Sequence, residues 1–169
     1  MERAILISIQ PKWLEKILNG EKTLEIRKTM PKCDLPIDVY IYCTKGKFAL
    51  NHYEKKRGYK DYYMSTKGWK KETEINGKVV AKFTLNNIFK TEYTVFTGNT
   101  YDDVFDFKYD ISTEDLEASC LTITELEDYG GIQDLYLWMI DNLKIFDEPK
   151  DLSDFTRGNV PQSWCYVEV

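Results

Sequence analysis

The opening stretch constrains the fold more than any other part of the chain. Ala4-Ile-Leu-Ile-Ser-Ile9 is short, apolar and rich in β-branched residues, and it reads as a buried strand. Pro11 suits the first turn of a helix, where its missing N–H costs nothing. Trp13, Leu14, Ile17 and Leu18 then fall on one helical stripe, and Asn19-Gly20 supplies a left-handed stop. The segment Thr23-Leu-Glu-Ile-Arg-Lys28 alternates with period two, which sets Leu24 and Ile26 against Glu25 and Arg27. The unit is therefore strand, short helix, tight turn, strand.

Further along, Ile37–Cys43 is strand-like, as is Lys78-Val-Val-Ala-Lys-Phe-Thr-Leu85, which continues through Ile88-Phe89 after a bulge at Asn86-Asn87. Ser112 starts a short helix, and Thr122-Ile-Thr-Glu125 is a capping box for another that closes at Gly130-Gly131. Strands are expected from Leu135 to Ile140, from Leu143 to Phe146, and from Trp164 to the end. This order predicts an α+β fold with a mixed sheet curled into a barrel, additional helices in insertions, and one domain over residues 1–169. An insert at about 45–75 breaks the pattern and is expected to be partly helical.

Composition narrows the function classes. Hydrophobic residues make up 43% and charged residues 30%, as expected of a globular chain. No apolar run approaches the ~20 residues that cross a bilayer, and the first strand is too short for a secretory core, so the expected location is cytoplasmic and no membrane partner is expected. The cysteines at 33, 43, 120 and 165 form no Cys-x-x-Cys pair, and His52 is the only histidine. Free thiols, no metal and no cofactor are the expectation. The net charge of −5 hides an asymmetry: Lys45 to Lys82 holds eleven basic and four acidic residues, Tyr101 to Val169 four basic and seventeen acidic. A basic face for nucleic acid and a lysine-rich solvated insert both fit that balance.

The candidate chemistry lies in Gly20-Glu-Lys-Thr-Leu-Glu-Ile-Arg27. The glycine turn delivers Lys22, and the strand presents Glu25 and Arg27 on one face. A lysine, a carboxylate and an arginine around a cleft can grip a phosphate or a base edge, or activate water.

The run from Ile5 to Lys28 resembles the signature of the ASCH domain, which has a strand, a short helix ending in Gly-x-Lys, and a strand carrying Glu-x-Arg. Val39-Tyr-Ile-Tyr-Cys-Thr44 and Gly77-Lys-Val-Val-Ala-Lys-Phe83 extend the resemblance. Residues 143–152 and Pro161-Gln-Ser-Trp-Cys-Tyr-Val167 look like ASCH proteins of phages and prophages of low-GC bacteria. The resemblance implies a PUA-like β-barrel that binds RNA or a modified nucleoside or nucleotide, with single-stranded RNA as partner. It implies ligand contacts from Lys22, Thr23, Glu25 and Arg27, joined by Thr44, Lys45, Ser163 and Trp164. Some small ASCH proteins are amidohydrolases that release cytidine from N4-acetylcytidine, with threonine where this chain has Glu25. That departure moves the expectation from catalysis by Lys22 and Glu25, as an amidohydrolase or a nuclease, towards binding. Met139 also stands where phage relatives often carry histidine. A host-protein partner is the remaining alternative.

Within the insert, Tyr53, Tyr59, Tyr62, Tyr63 and Trp69 interleave with Lys55, Lys56, Arg57, Lys60, Lys67, Lys70 and Lys71. Aromatics can stack on unpaired bases while lysines neutralise phosphates. The same aromatics can equally serve to pack the insert onto the barrel.

Overall fold

The computed structural model describes residues 1–53, 61–94 and 108–169. The chain begins with β1 (Arg3–Ile9), α1 (Pro11–Leu18), β2 (Leu24–Arg27) and β3 (Ile37–Cys43). It continues through β4 (Phe48–His52), β5 (Tyr62–Thr66), β6 (Lys78–Leu85) and β7 (Ile88–Thr91). After α2 (Thr113–Ser119) and α3 (Ile123–Gly130) come β8 (Leu135–Met139), β9 (Asp141–Asp151) and β10 (Trp164–Glu168). The expected α+β class and the short helix after the first strand are both present.

The main sheet runs β10-β1-β3-β6-β9. Its only parallel pair is β1 with β3, in the register Ile5↔Val39 to Ile9↔Cys43. That pair needs a crossover, and α1 with β2 occupies it. Pro11, Leu14, Ile17 and Leu18 bury one face of α1 against a core that includes Ile5, Ile7, Ile9, Val39, Ile41 and Phe83. Gly20 then holds a φ of 77°, the left-handed region where a side chain is strained.

A smaller sheet runs β2-β8-β7, and β4 pairs with β5 as a separate hairpin. The expected barrel is therefore not closed: among the described residues, no ladder joins these sheets into one ring. The reason lies at one corner. Asn86 and Asn87 separate β6 from β7, and Ile140 alone separates β8 from β9, so two successive strand pairs leave one sheet for the other there. The Asn87 carbonyl accepts from the Met139 N–H (3.2 Å), and the Asn86 amide donates to Asp141 (2.9 Å).

Over its described residues the insert is the β4–β5 hairpin followed by a short 3-10 helix at Lys71–Thr73. Two asparagines fix the hairpin to the body. Asn19 donates to the Tyr62 carbonyl (3.0 Å) and accepts from the Tyr62 N–H (3.1 Å). Asn76 accepts from the Leu50 N–H (2.8 Å) and donates to the carbonyls of Thr44 (3.1 Å) and Phe48 (3.0 Å).

The caps form as the sequence predicts. Ser112 accepts from the Asp115 N–H, and Thr122 and Glu125 make a reciprocal capping box. At the far end of α3, Gly130 lets the Tyr109 hydroxyl pass close by on its way to the Gln133 carbonyl (2.7 Å). A Cβ at Gly130 would lie 2.1 Å from that oxygen. The α3 helix is thus seated on a second core of Leu24, Ile26, Tyr109, Leu126, Leu135 and Leu137.

Candidate functional site

All four residues of β2 are buried, although two of them are charged. Leu24 and Ile26 face the second core, and Glu25 and Arg27 face the other way, as the alternation predicts. Lys22 comes to the same side because the chain is still in the turn that ends α1. The N–H groups of Glu21 and Lys22 both bond the Lys16 carbonyl (2.8 and 3.0 Å), so strand alternation starts only at Leu24. The Lys22 and Glu25 side chains are 3% and 9% exposed, and their charges lie 3.2 Å apart.

The hydrogen bonds of this cluster are almost all internal. The Lys22 ammonium donates to the Leu24 carbonyl (2.8 Å) and the Ser119 carbonyl (2.7 Å), and faces Glu25 Oε2. An ammonium has three N–H groups, so Lys22 is fully occupied. Arg27 Nη2 reaches Glu25 Oε1 (2.9 Å) and the Ser8 carbonyl (2.8 Å), and Nη1 reaches the Ser163 hydroxyl (3.1 Å). The buried Nε of Arg27 has no partner among the described residues. Glu25 is held from both sides, each oxygen keeping a lone pair for a further donor.

These three residues form the floor of a cavity of about 730 Å³, within the range of small-molecule sites. Its walls come from Ser8 and Ile9 at the end of β1, Gln10 after it, Trp13 of α1, Thr44 and Gly46 after β3, and Gln162 and Ser163 before β10. Leu121, Glu125, Asp128 and Tyr129 complete it from the α3 side. Two cations and three carboxylates therefore line the space, an excess of one negative charge. Partial burial pushes the Tyr129 phenol above its ordinary value, with Arg27 acting against the shift and Glu25 with it. The Tyr129 wall is thus neutral at ordinary pH. Glu125 is held below the usual carboxylate range, first by the Thr122 N–H and then by Lys12.

Of the expected ligand contacts, Lys22, Glu25, Arg27, Thr44 and Ser163 line the cavity. Thr23, Lys45 and Trp164 are not in its lining. Thr23 is exposed, its main chain bonded to the Ala118 carbonyl (2.9 Å) and the Ile140 N–H (3.0 Å). Lys45 is exposed and packs near Gly77. Trp164 donates to Thr29 Oγ1 (3.0 Å) and packs its ring 5.6 Å from that of the fully buried Trp138. Sequence reasoning missed Trp13, Gln10 and Gln162 and the whole α3 wall. The capping box located α3, but nothing local in the sequence aims it at β2.

The insert residues Lys55, Lys56, Arg57, Tyr59 and Lys60 lie outside the described residues. Tyr62 packs against the main core, while Tyr63 and Trp69 belong to a ring ladder on the hairpin. His52 is exposed and lies 3.3 Å from the Tyr53 carbonyl. The four cysteines are free thiols, and burial pushes Cys43 up to about 12. No cluster of metal-ligating side chains occurs among the described residues, and none of their helices is long and apolar enough to cross a membrane.

No family model matches the chain, and no curated protein does. Among solved structures it is similar to the ASCH protein of Zymomonas mobilis, at 16% identity and a TM-score of 0.61, covering 98% of this chain and 87% of that one. Two single-residue variants of that protein match at 15% and 16% identity, each with a TM-score of 0.59 and 98% of this chain covered. They are covered to 90% and 88% of their own length. At this identity the likeness is one of architecture: the chain has the fold of an ASCH protein.

Proposed function

We propose that the chain is a PUA-like binding module that takes an uncharged nucleoside group, either a base of single-stranded RNA or a modified nucleoside, into the cleft above Glu25. The observation that carries this reading is the bonding of the buried cluster. Lys22 has no proton left for a phosphate, and the carboxylates outnumber the cations in the lining. To bond Lys22, a phosphate would have to displace an existing partner in a space where carboxylates outnumber cations, which leaves it only the unpartnered N–H groups of Arg27. A heterocycle needs no such exchange: it can donate N–H groups to Glu25, bond to Gln10 or Gln162, and lie against Trp13 and Tyr129. Phosphate recognition by Lys22, one of the roles expected of the cluster, is the part this reading gives up.

Hydrolysis of an N4-acetylcytidine-type nucleoside has less support. Glu25 is no hydroxyl nucleophile, and Thr23, the nearest threonine in sequence, is not in the cavity lining.

Calorimetric titration with cytidine, N4-acetylcytidine, uridine and their 5′-monophosphates tests the reading. Nucleosides should bind, the added phosphate should not tighten binding, and Glu25→Gln should weaken it by about tenfold, ~1.4 kcal/mol. Monophosphates binding more tightly than nucleosides, or no nucleoside binding at all, would overturn it. Chromatography of the same mixtures reports any cytidine released, and loss of that product in Glu25→Gln would favour the hydrolase.

A further inference from the structure

We infer that the β4–β5 hairpin carries a second contact surface, built for single-stranded nucleic acid by stacking and phosphate neutralisation. Tyr53, Tyr63 and Trp69 form a ladder with ring centroids 4.5 Å and then 6.5 Å apart. The ladder ends in Trp69, which is 66% exposed and whose ring stands at 80° to that of Tyr63. Lys70 lies 5.7 Å from the Trp69 ring.

At the root of the hairpin, Phe48 is 52% exposed, with Lys47 at 5.8 Å from its ring. Phe48 pairs with Thr66 and Tyr63 with Asn51, so Phe48 and Tyr63 project from opposite faces of the hairpin. The two exposed aromatics therefore offer separate platforms, each with a lysine beside it.

The chemistry selects one kind of partner. Flat aromatic faces beside lysines match unpaired bases joined by phosphates. Charge complementarity agrees. Among the described residues, no carboxylate pairs with Lys45, Lys47 or Lys71, in contrast to Lys22 and Arg27 in the cleft. The two surfaces are also joined. Thr44 and Gly46 line the cleft, and β4 starts two residues later. A strand leaving the cleft at Gly46 meets Lys47 and Phe48 first.

This inference does not depend on the cleft reading, and one experiment separates them. A labelled oligouridylate of about ten nucleotides, within the usual reach of such surfaces, is titrated by fluorescence anisotropy against the full chain, Trp69→Ala, Trp69→Phe and Lys47→Ala. Nucleoside titrations and melting curves run alongside. Trp69→Ala should weaken oligonucleotide binding about tenfold, and Trp69→Phe should recover most of it. Lys47→Ala should lower the slope of affinity against salt by about one. Nucleoside affinity and melting temperature should stay unchanged. Equal oligonucleotide affinity in Trp69→Ala, or equal binding of a duplex of the same length, overturns the inference and leaves the cleft reading standing. Binding of the oligonucleotide that depends on Trp69, with no nucleoside binding, overturns the cleft reading alone.

Discussion

The cleft and the hairpin both hold cations near aromatic rings, but they use them in opposite ways. In the cleft, Lys22 and Arg27 are buried and bonded to Glu25 and to main-chain carbonyls. On the hairpin, Lys47 and Lys71 are exposed and have no carboxylate partner among the described residues. A buried cation bonded in this way serves to position an anion, while an exposed one remains available to a ligand. Charge counts along the sequence cannot make that distinction, because it depends on what each ammonium is bonded to.

The comparison can be broken most directly by removing Glu25. In Glu25→Ala two buried cations lose their shared anion, which should destabilise the fold by ~3–5 kcal/mol in urea titrations. Lys47→Ala on the hairpin should change stability by no more than ~0.5 kcal/mol. Replacing Lys22, Glu25 and Arg27 together by methionine, leucine and methionine should recover most of the loss while abolishing nucleoside binding. If Glu25→Ala is as mild as Lys47→Ala, Glu25 is not the anion that holds Lys22 and Arg27 in place.

A smaller effect should follow from Asn76→Ala. It leaves the Leu50 N–H and two carbonyls without their side-chain partner, at a cost of ~1–3 kcal/mol. Hydrogen exchange should then speed up in β4 and β5 before β1 or β3. Uniform acceleration across the main sheet would show that the hairpin is not a separable unit.

The smallest effect concerns pH and the α3 wall. The carboxyl of Glu125 is held low by the Thr122 N–H and by Lys12, so its folded pKa lies below its unfolded one. Its contribution is complete above the ordinary carboxylate range and disappears as pH falls through the folded value. Stability measured on the acid limb should therefore fall less steeply in Glu125→Gln than in the parent. The pair is surface-exposed and screened, so the difference is expected to be modest.

Sequence made the opening unit legible because its signals are local: Pro11 at a helix start, Asn19-Gly20 at its end, and alternation in β2. The Thr122–Glu125 cap was legible for the same reason. What could not be read were the bonds that decide the site. Lys22 is held by the carbonyls of Leu24 and Ser119, and a main-chain oxygen carries no residue signature. The hairpin was hidden because Asn51, fully buried against Ser65 and Thr73, interrupts the apolar pattern of β4. The barrel expectation failed at the Asn86–Asn87 corner, where a bulge and a change of sheet look alike in sequence.

The Asn19 amide has one more consequence. Tyr62 turns its N–H and carbonyl away from β4, towards the open edge of the hairpin, and Asn19 bonds both. A side-chain amide there does what a neighbouring strand would do. The Thr66 carbonyl, further along the same edge, is taken by the Trp69 N–H (3.2 Å). A two-stranded ribbon with exposed aromatics is ordinarily a template on which a second molecule can add a strand. Here the outward groups of Tyr62 and the Thr66 carbonyl are already in use, which leaves less of that edge for a second molecule to pair with.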